Sequence, residues 1–150
     1  MKHKEYVILN RDRISEYNKK FRQENKDTLN KSRVNRFKND PIYRLSTIIR
    51  NSIRSSFVKF GYTKNSKTFE ILGITHEEFK LFLESKFEPW MNWNNHGIYD
   101  GGFNSGWDID HIIPISSAVT EEDLYRLSYY TNFQPLCSKV NREIKRNNIL

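Results

Sequence analysis

Apolar residues recur at helical spacing through the first third of the chain and give way to alternation near its end. Ile14, Tyr17 and Phe21 lie three and four apart and mark one stripe; Leu29, Val34 and Phe37 continue a sparser one. Neither Gly nor Pro interrupts residues 10–38, so long, partly exposed helices are predicted there, with too thin a stripe to bury a bundle alone. A faint repeat of 15–16 residues runs through them: Asn10-Arg11-Asp12-Arg13-Ile14 against Asn25-Lys26-Asp27-Thr28-Leu29, and Lys20-Phe21 against Arg36-Phe37. Asn39-Asp40-Pro41 then reads as a helix restart, because Asp suits the cap and Pro the first helical position. Ile42, Leu45, Ile49, Ile53 and Phe57 follow with a true core face, and Gly61 is the expected C-cap.

A polar linker, Lys64–Lys67, leads to a short apolar cluster around Gly73. Thr75 and Glu78 form a capping box, and Phe79, Phe82, Leu83 and Phe87 give the stripe of the helix that follows. Residues 90–106 are rich in turn residues and aromatics; Trp90, Met91 and Trp93 are expected to pack beneath a site. His96, in a Gly/Asn loop, is a candidate DNA contact, and His76 reads as a surface residue. Residues 107–114 read as a short strand ended by Pro114, Thr120–Asp123 as a helix start, residues 131–136 as a turn into a second strand, and Ser138 as the cap of a last helix. The fold class is α+β, in three segments: a basic helical part at 1–60, a helical and loop support at 61–106, and a strand–strand–helix unit at 107–150.

Composition changes this picture in one respect. The 150 residues carry 25 Lys+Arg and 18 Asp+Glu, a net of +7. The excess is uneven: residues 1–60 hold 16 basic and 6 acidic residues, and residues 61–150 hold 9 and 12. Such asymmetry points to a basic arm for a polyanion beside a unit with another task, the alternative being a solvated, highly charged helix surface. Lys19, Lys20, Arg22, Lys31, Arg33, Arg36 and Lys38 on the arm, with Arg50 and Arg54 on the next helix, are the candidate phosphate contacts. No apolar run approaches the ~18–20 residues of a membrane span, and the apolar stretch at Val7–Leu9 is too short for a signal peptide. A single cysteine, Cys137, leaves no internal disulfide framework.

The chemistry-bearing residues are Asp110-His111-Ile112-Ile113-Pro114, then Asn132-Phe133-Gln134-Pro135-Leu136-Cys137, then Asn141-Arg142-Glu143-Ile144-Lys145. In this order and spacing they resemble the HNH endonucleases of the ββα-metal fold, of the kind found in phages and mobile elements. Leu72-Gly73, the Phe79–Phe87 stretch, Met91-Asn92-Trp93 and Trp107 are similar to the region preceding that motif in phage-type proteins. The resemblance implies that Asp110 ligates a divalent cation and that His111 is the general base activating water. It implies that Asn132 braces the loop holding His111, that Asn141 is the second metal ligand, and that Lys145 supports the phosphate or the charge of the site. Many relatives in that family bind a structural zinc through paired cysteines; Val140 stands where the partner of Cys137 would be, so no structural zinc is expected.

The residue chemistry agrees with those roles. An unperturbed His titrates near ~6.5, suited to proton abstraction near neutrality. A carboxylate with an amide oxygen is a hard donor pair, suited to Mg²⁺ or Mn²⁺. Asp108 shares a strand face with Asp110 and reads as a supporting or solvent-facing carboxylate. The expectation is a metal-dependent endonuclease acting on double-stranded DNA, monomeric or homodimeric, in the cytoplasm of a bacterial host. The alternatives are a non-catalytic DNA-binding protein on a nuclease scaffold and a non-specific DNA/RNA nuclease.

Overall fold

Single asparagines rather than loops connect the first helices. The computed structural model describes residues 3–149, with side chains from residue 5 onward. In it α1 (His3–Leu9), α2 (Arg11–Glu24) and α3 (Lys26–Asn39) follow one another with only Asn10 and Asn25 between them. The chain divides into two units, Met1–Asp40 and Pro41–Leu150. In the first unit neither α2 nor α3 buries a residue, as their sparse stripes predict.

The second unit is built on α4 (Pro41–Lys59), whose Leu45, Ile49, Ile53 and Phe57 are buried. They meet Ile71 and Leu72 of α5 (Thr68–Leu72), Phe79 and Leu83 of α6 (His76–Glu84), and Leu124 and Leu127 of α7 (Glu121–Leu127). Charge counting groups α4 with the basic arm up to residue 60; packing places it in the second unit, because its apolar stripe is that unit's core. Arg50 and Arg54 occupy its exposed side. Both acidic-start helices are capped, α6 by the box the sequence predicts and α7 by a second box at its expected start. Thr75 accepts from the Glu78 N–H at 3.2 Å while the Glu78 carboxylate accepts from the Thr75 N–H at 2.8 Å. Thr120 and Asp123 repeat the exchange at 3.2 and 3.1 Å.

The protein is α+β: helix-rich, with one small antiparallel sheet among the described residues. β1 (Trp107–His111) and β2 (Phe133–Cys137) pair from Trp107 opposite Cys137 to His111 opposite Phe133. Two short strands are marginal alone; here Trp107 anchors them. It is fully buried, its ring lies 4.7 Å from Phe87, 5.2 Å from Trp93 and 4.6 Å from His96, and its Nε1 donates to the Asn92 carbonyl at 2.7 Å. Met91 is buried as well. Gly106 precedes Trp107 of necessity, since a Cβ there would lie 2.2 Å from the Ile98 carbonyl oxygen. The chain ends in a wide-turned helix, Val140–Lys145, in which the Arg146 N–H reaches back five residues to Asn141 O at 2.9 Å. No helix among the described residues is long and apolar enough to cross a membrane.

Replacing either capping threonine, Thr75→Ala or Thr120→Ala, is expected to lower stability by about 1 kcal/mol. Urea denaturation reads this as a lower midpoint at unchanged slope; a midpoint equal to wild type refutes the capping role.

Candidate active site

Strand alternation puts Asp108 and Asp110 on one face of β1, and the final helix engages both. Lys145 is 1% exposed and Asp110 6%. The Lys145 Nζ donates to Asp110 Oδ1 at 2.9 Å and Oδ2 at 2.7 Å, and to the carbonyl oxygen of His111. Gln134, opposite Asp110 in the sheet, donates its Nε2 to Oδ2 at 2.9 Å. Asp110 and His111 are thus held by one ammonium and one amide.

Two residues earlier, Asp108 takes a two-pronged contact from Arg142, Nε to Oδ2 at 2.8 Å and Nη2 to Oδ1 at 2.7 Å. Asn141 donates its Nδ2 to the same carboxylate at 3.2 Å. Burial pushes the Asp108 carboxyl up, but the Arg142 and Asn141 hydrogen bonds and the Arg142 charge outweigh it, and its pKa lies below the ordinary value. Arg142 also stacks on Tyr99, 5.1 Å from the ring centre.

His111 ends β1 with its ring 4.4 Å from that of Phe133. Its Nε2 is buried and has no hydrogen-bond partner. Burial pushes its pKa down to about 4, with Asp110 opposing and Lys145 adding to the shift. The imidazole is therefore neutral near pH 7. Asn132 sits in the turn that enters β2 and clamps the segment after His111: its Oδ1 accepts from the Ile113 N–H at 2.9 Å, and its Nδ2 donates to Ile113 O at 3.0 Å and Leu127 O at 2.8 Å. Its backbone carbonyl accepts from Ile112 N at 2.8 Å.

Of the two roles expected for Lys145, support of the phosphate or of the charge of the site, its buried ammonium takes the second in this structure: it is committed to Asp110 and the His111 carbonyl, which makes it a positioning residue. Asn141 is expected beside Asp110; its amide contacts Asp108. Gln134 contacts Asp110, which it faces across the sheet, and Asp108, expected as a supporting or solvent-facing carboxylate, is held by Arg142. Alternation is the signal that sets Asp108 and Asp110 on one side with Gln134 opposite Asp110. His96 packs on Trp107 and Trp93, and burial lowers its pKa to about 4. Cys137 is buried and accepts from the Asn104 N–H at 3.5 Å. Lys19, Lys20 and Arg22 on α2, and Lys31, Arg33, Arg36 and Lys38 on α3, are exposed. Lys20 pairs with Glu24 at 3.9 Å and Arg36 with Asp40 at 3.2 Å. Among the described residues no three His, Cys, Asp or Glu side chains gather into a cation-holding group, so a cation at Asp110 would depend on mixed oxygen donors.

No known protein-family profile matches the chain, and no solved structure matches it. It is similar to an uncharacterized protein of Acanthamoeba polyphaga mimivirus, 29% identical over 152 residues that cover 100% of this chain and 63% of that protein. A second uncharacterized protein of the same virus is 28% identical over 157 residues, 91% of this chain and 65% of the relative. The chain thus spans less than two thirds of the length of both relatives.

Removing one partner of a buried ion pair leaves an uncompensated charge. Lys145→Met is therefore expected to destabilise by about 3–5 kcal/mol, and the double variant Asp110→Asn/Lys145→Met to recover most of that loss. A denaturation double-mutant cycle reads the coupling; additive single effects would show that the pair does not hold the site together.

Proposed function

We propose that the protein is a metal-dependent endonuclease of the HNH type that hydrolyses phosphodiester bonds in double-stranded DNA. The observation that supports this most is the clustering of Asp110, His111, Asn132 and the final helix around one two-stranded sheet, with a neutral His111 whose Nε2 lacks a partner. An exposed set of basic residues on α2, α3 and α4 suits phosphate.

A carboxylate with an amide oxygen has the donor chemistry for Mg²⁺ or Mn²⁺, but in this structure the two side chains face different partners, Asp110 facing Lys145 and Gln134 and Asn141 facing Asp108. The Asp110 carboxylate is matched by the Lys145 ammonium, which a metal would have to displace, and Asn141 uses its Nδ2 on Asp108. Asp110 and Asn141 are the residues that would hold the metal. When bound, such an ion supplies positive charge at the scissile phosphate and the leaving oxygen. The chain's own groups do the rest. His111 accepts the proton of the attacking water at Nε2. Phe133 fixes the plane of the ring, and Asn132 fixes the backbone that follows it. Lys145 and Gln134 set the orientation of the Asp110 carboxylate.

One observation favours a second reading. The Asp110 oxygens are already satisfied by Lys145 and Gln134, as they would be in a DNA-binding protein without catalysis on the same scaffold. Plasmid relaxation with and without Mg²⁺ separates the two. On the nuclease reading the wild type nicks DNA only with metal. His111→Ala lowers the rate by about 10²–10⁴, while filter binding to DNA stays within a few-fold because a general base adds little to ground-state affinity. Metal-independent inertness of the wild type, or near-normal cutting by the alanine variant, refutes the catalytic assignment.

A further inference from the structure

The faint repeat in the sequence is a regular one in space. Asn10 and Asn25, fifteen residues apart, have nearly identical backbones, φ −109° and ψ 18° against φ −107° and ψ 16°. At each, the backbone N–H and the side-chain Nδ2 both donate to the carbonyl four residues back. For Asn10 this is Tyr6 O, at 3.0 and 3.0 Å; for Asn25 it is Phe21 O, at 3.0 and 2.9 Å. At each, the asparagine carbonyl accepts the first hydrogen bond of the next helix, from Ile14 N or Leu29 N, both at 2.9 Å. The helix that follows is 14 residues long in both cases. These are two copies of one device: a 14-residue helix entered through an asparagine joint.

Neither copy has a core. Nothing on α2 or α3 is buried, and Tyr17 and Phe21 stack 6.3 Å apart while 67% and 45% exposed. Residues 10–39 hold ten basic and four acidic side chains. Helices of this length are marginal in water, and exposed ion pairs such as Lys20–Glu24 contribute little. A polyanion removes the repulsion among the ten cations. Each helix is ~21 Å long at ~1.5 Å per residue. A straight rod of that length follows a duplex backbone for part of the ~34 Å turn before the backbone curves away, and a joint every fifteen residues re-aims the next rod.

We propose that residues 10–39 form a jointed helical repeat that lies along duplex DNA and completes its helical form on it. The choice of DNA rests on the nuclease reading; the jointed, charge-driven folding does not. A duplex carries one charge per ~1.7 Å, twice the density of a single strand, and is stiff enough to template a rod.

The test uses the full chain in EDTA, so that cleavage plays no part and the failure of either idea shows separately. The probe is a duplex of about 20 base pairs, longer than the ~42 Å of the two helices. Far-ultraviolet circular dichroism is expected to gain, at saturation, helix equivalent to about two 14-residue segments, and to lose it at high salt. Deleting one repeat, residues 10–24, is expected to halve the gain and lower the slope of log affinity against log salt by about 4–5, from five basic residues. Asn25→Ala keeps every charge and removes one joint; it is expected to raise helicity in the free protein and weaken duplex binding about tenfold. No helix gain on saturation overturns coupled folding. Unchanged affinity of Asn25→Ala overturns the joint. An equal gain with a single strand of the same charge overturns the duplex as partner.

Discussion

An ammonium buried to 1% exposure cannot stand alone, and the placement of Lys145 organises the C-terminal unit. Desolvating a charge costs several kcal/mol unless paired and hydrogen-bonded. Lys145 meets that condition with three acceptors, two on Asp110 and one on the His111 backbone. The final helix therefore cannot slide along β1 without exposing an unpaired charge on one side and an unpaired carboxylate on the other. A two-stranded sheet has little stability of its own; it is pinned at the Trp107 end by aromatic packing and at the His111 end by this ion pair.

The same pair sets the electrostatics next door. Asp110 would ordinarily stabilise a protonated His111, but its charge is matched by Lys145, and burial dominates. The imidazole is left neutral with a lone pair in an apolar setting beside Phe133. Adjacent residues on one strand thus have opposite fates: Asp110 turns to the helix and is neutralised, while His111 keeps an unpartnered nitrogen. Asn132 adds a second restraint from the far side, holding Ile112 and Ile113 so that the backbone leaving His111 has one path.

Local signals in the chain translated well into structure. The Thr75–Glu78 capping box formed as predicted, and the helix start expected at Thr120–Asp123 is closed by a second box, since a threonine oxygen three residues before a carboxylate allows the reciprocal exchange. The alternation of residues 107–111 and 133–137 became the two strands. The less legible features were those that depend on tertiary placement. A lysine four residues after Asn141 leaves open whether it meets phosphate or the charge of the site until the helix is laid on β1, when it becomes a buried ion paired with Asp110. The widened last turn, with its five-residue hydrogen bond at Asn141, has no signature in residue types. The unit boundary also escaped charge counting, since Arg50 and Arg54 share α4 with Leu45, Ile49, Ile53 and Phe57.

That sharing bears on how a polyanion would be held. A side chain on a buried helix is already positioned, so a phosphate contact from Arg50 or Arg54 orders only the side chain, at about 0.5–1.5 kcal/mol. A contact from α2 or α3 comes with the ordering of a coreless helix, where fixing the backbone alone costs roughly 1–2 kcal/mol per residue before hydrogen bonds offset it. The ten basic residues of the repeat would therefore yield less affinity per contact than Arg50 and Arg54 on α4, although they are more numerous. What they gain in exchange is reach and strong salt sensitivity, since most of their contribution comes from counterion release. On the DNA reading, α4 would offer contacts from an already folded helix, and the repeat a more numerous, salt-sensitive and readily released set. That division follows from one difference in sequence: α4 has an apolar stripe dense enough to bury, and α2 and α3 do not.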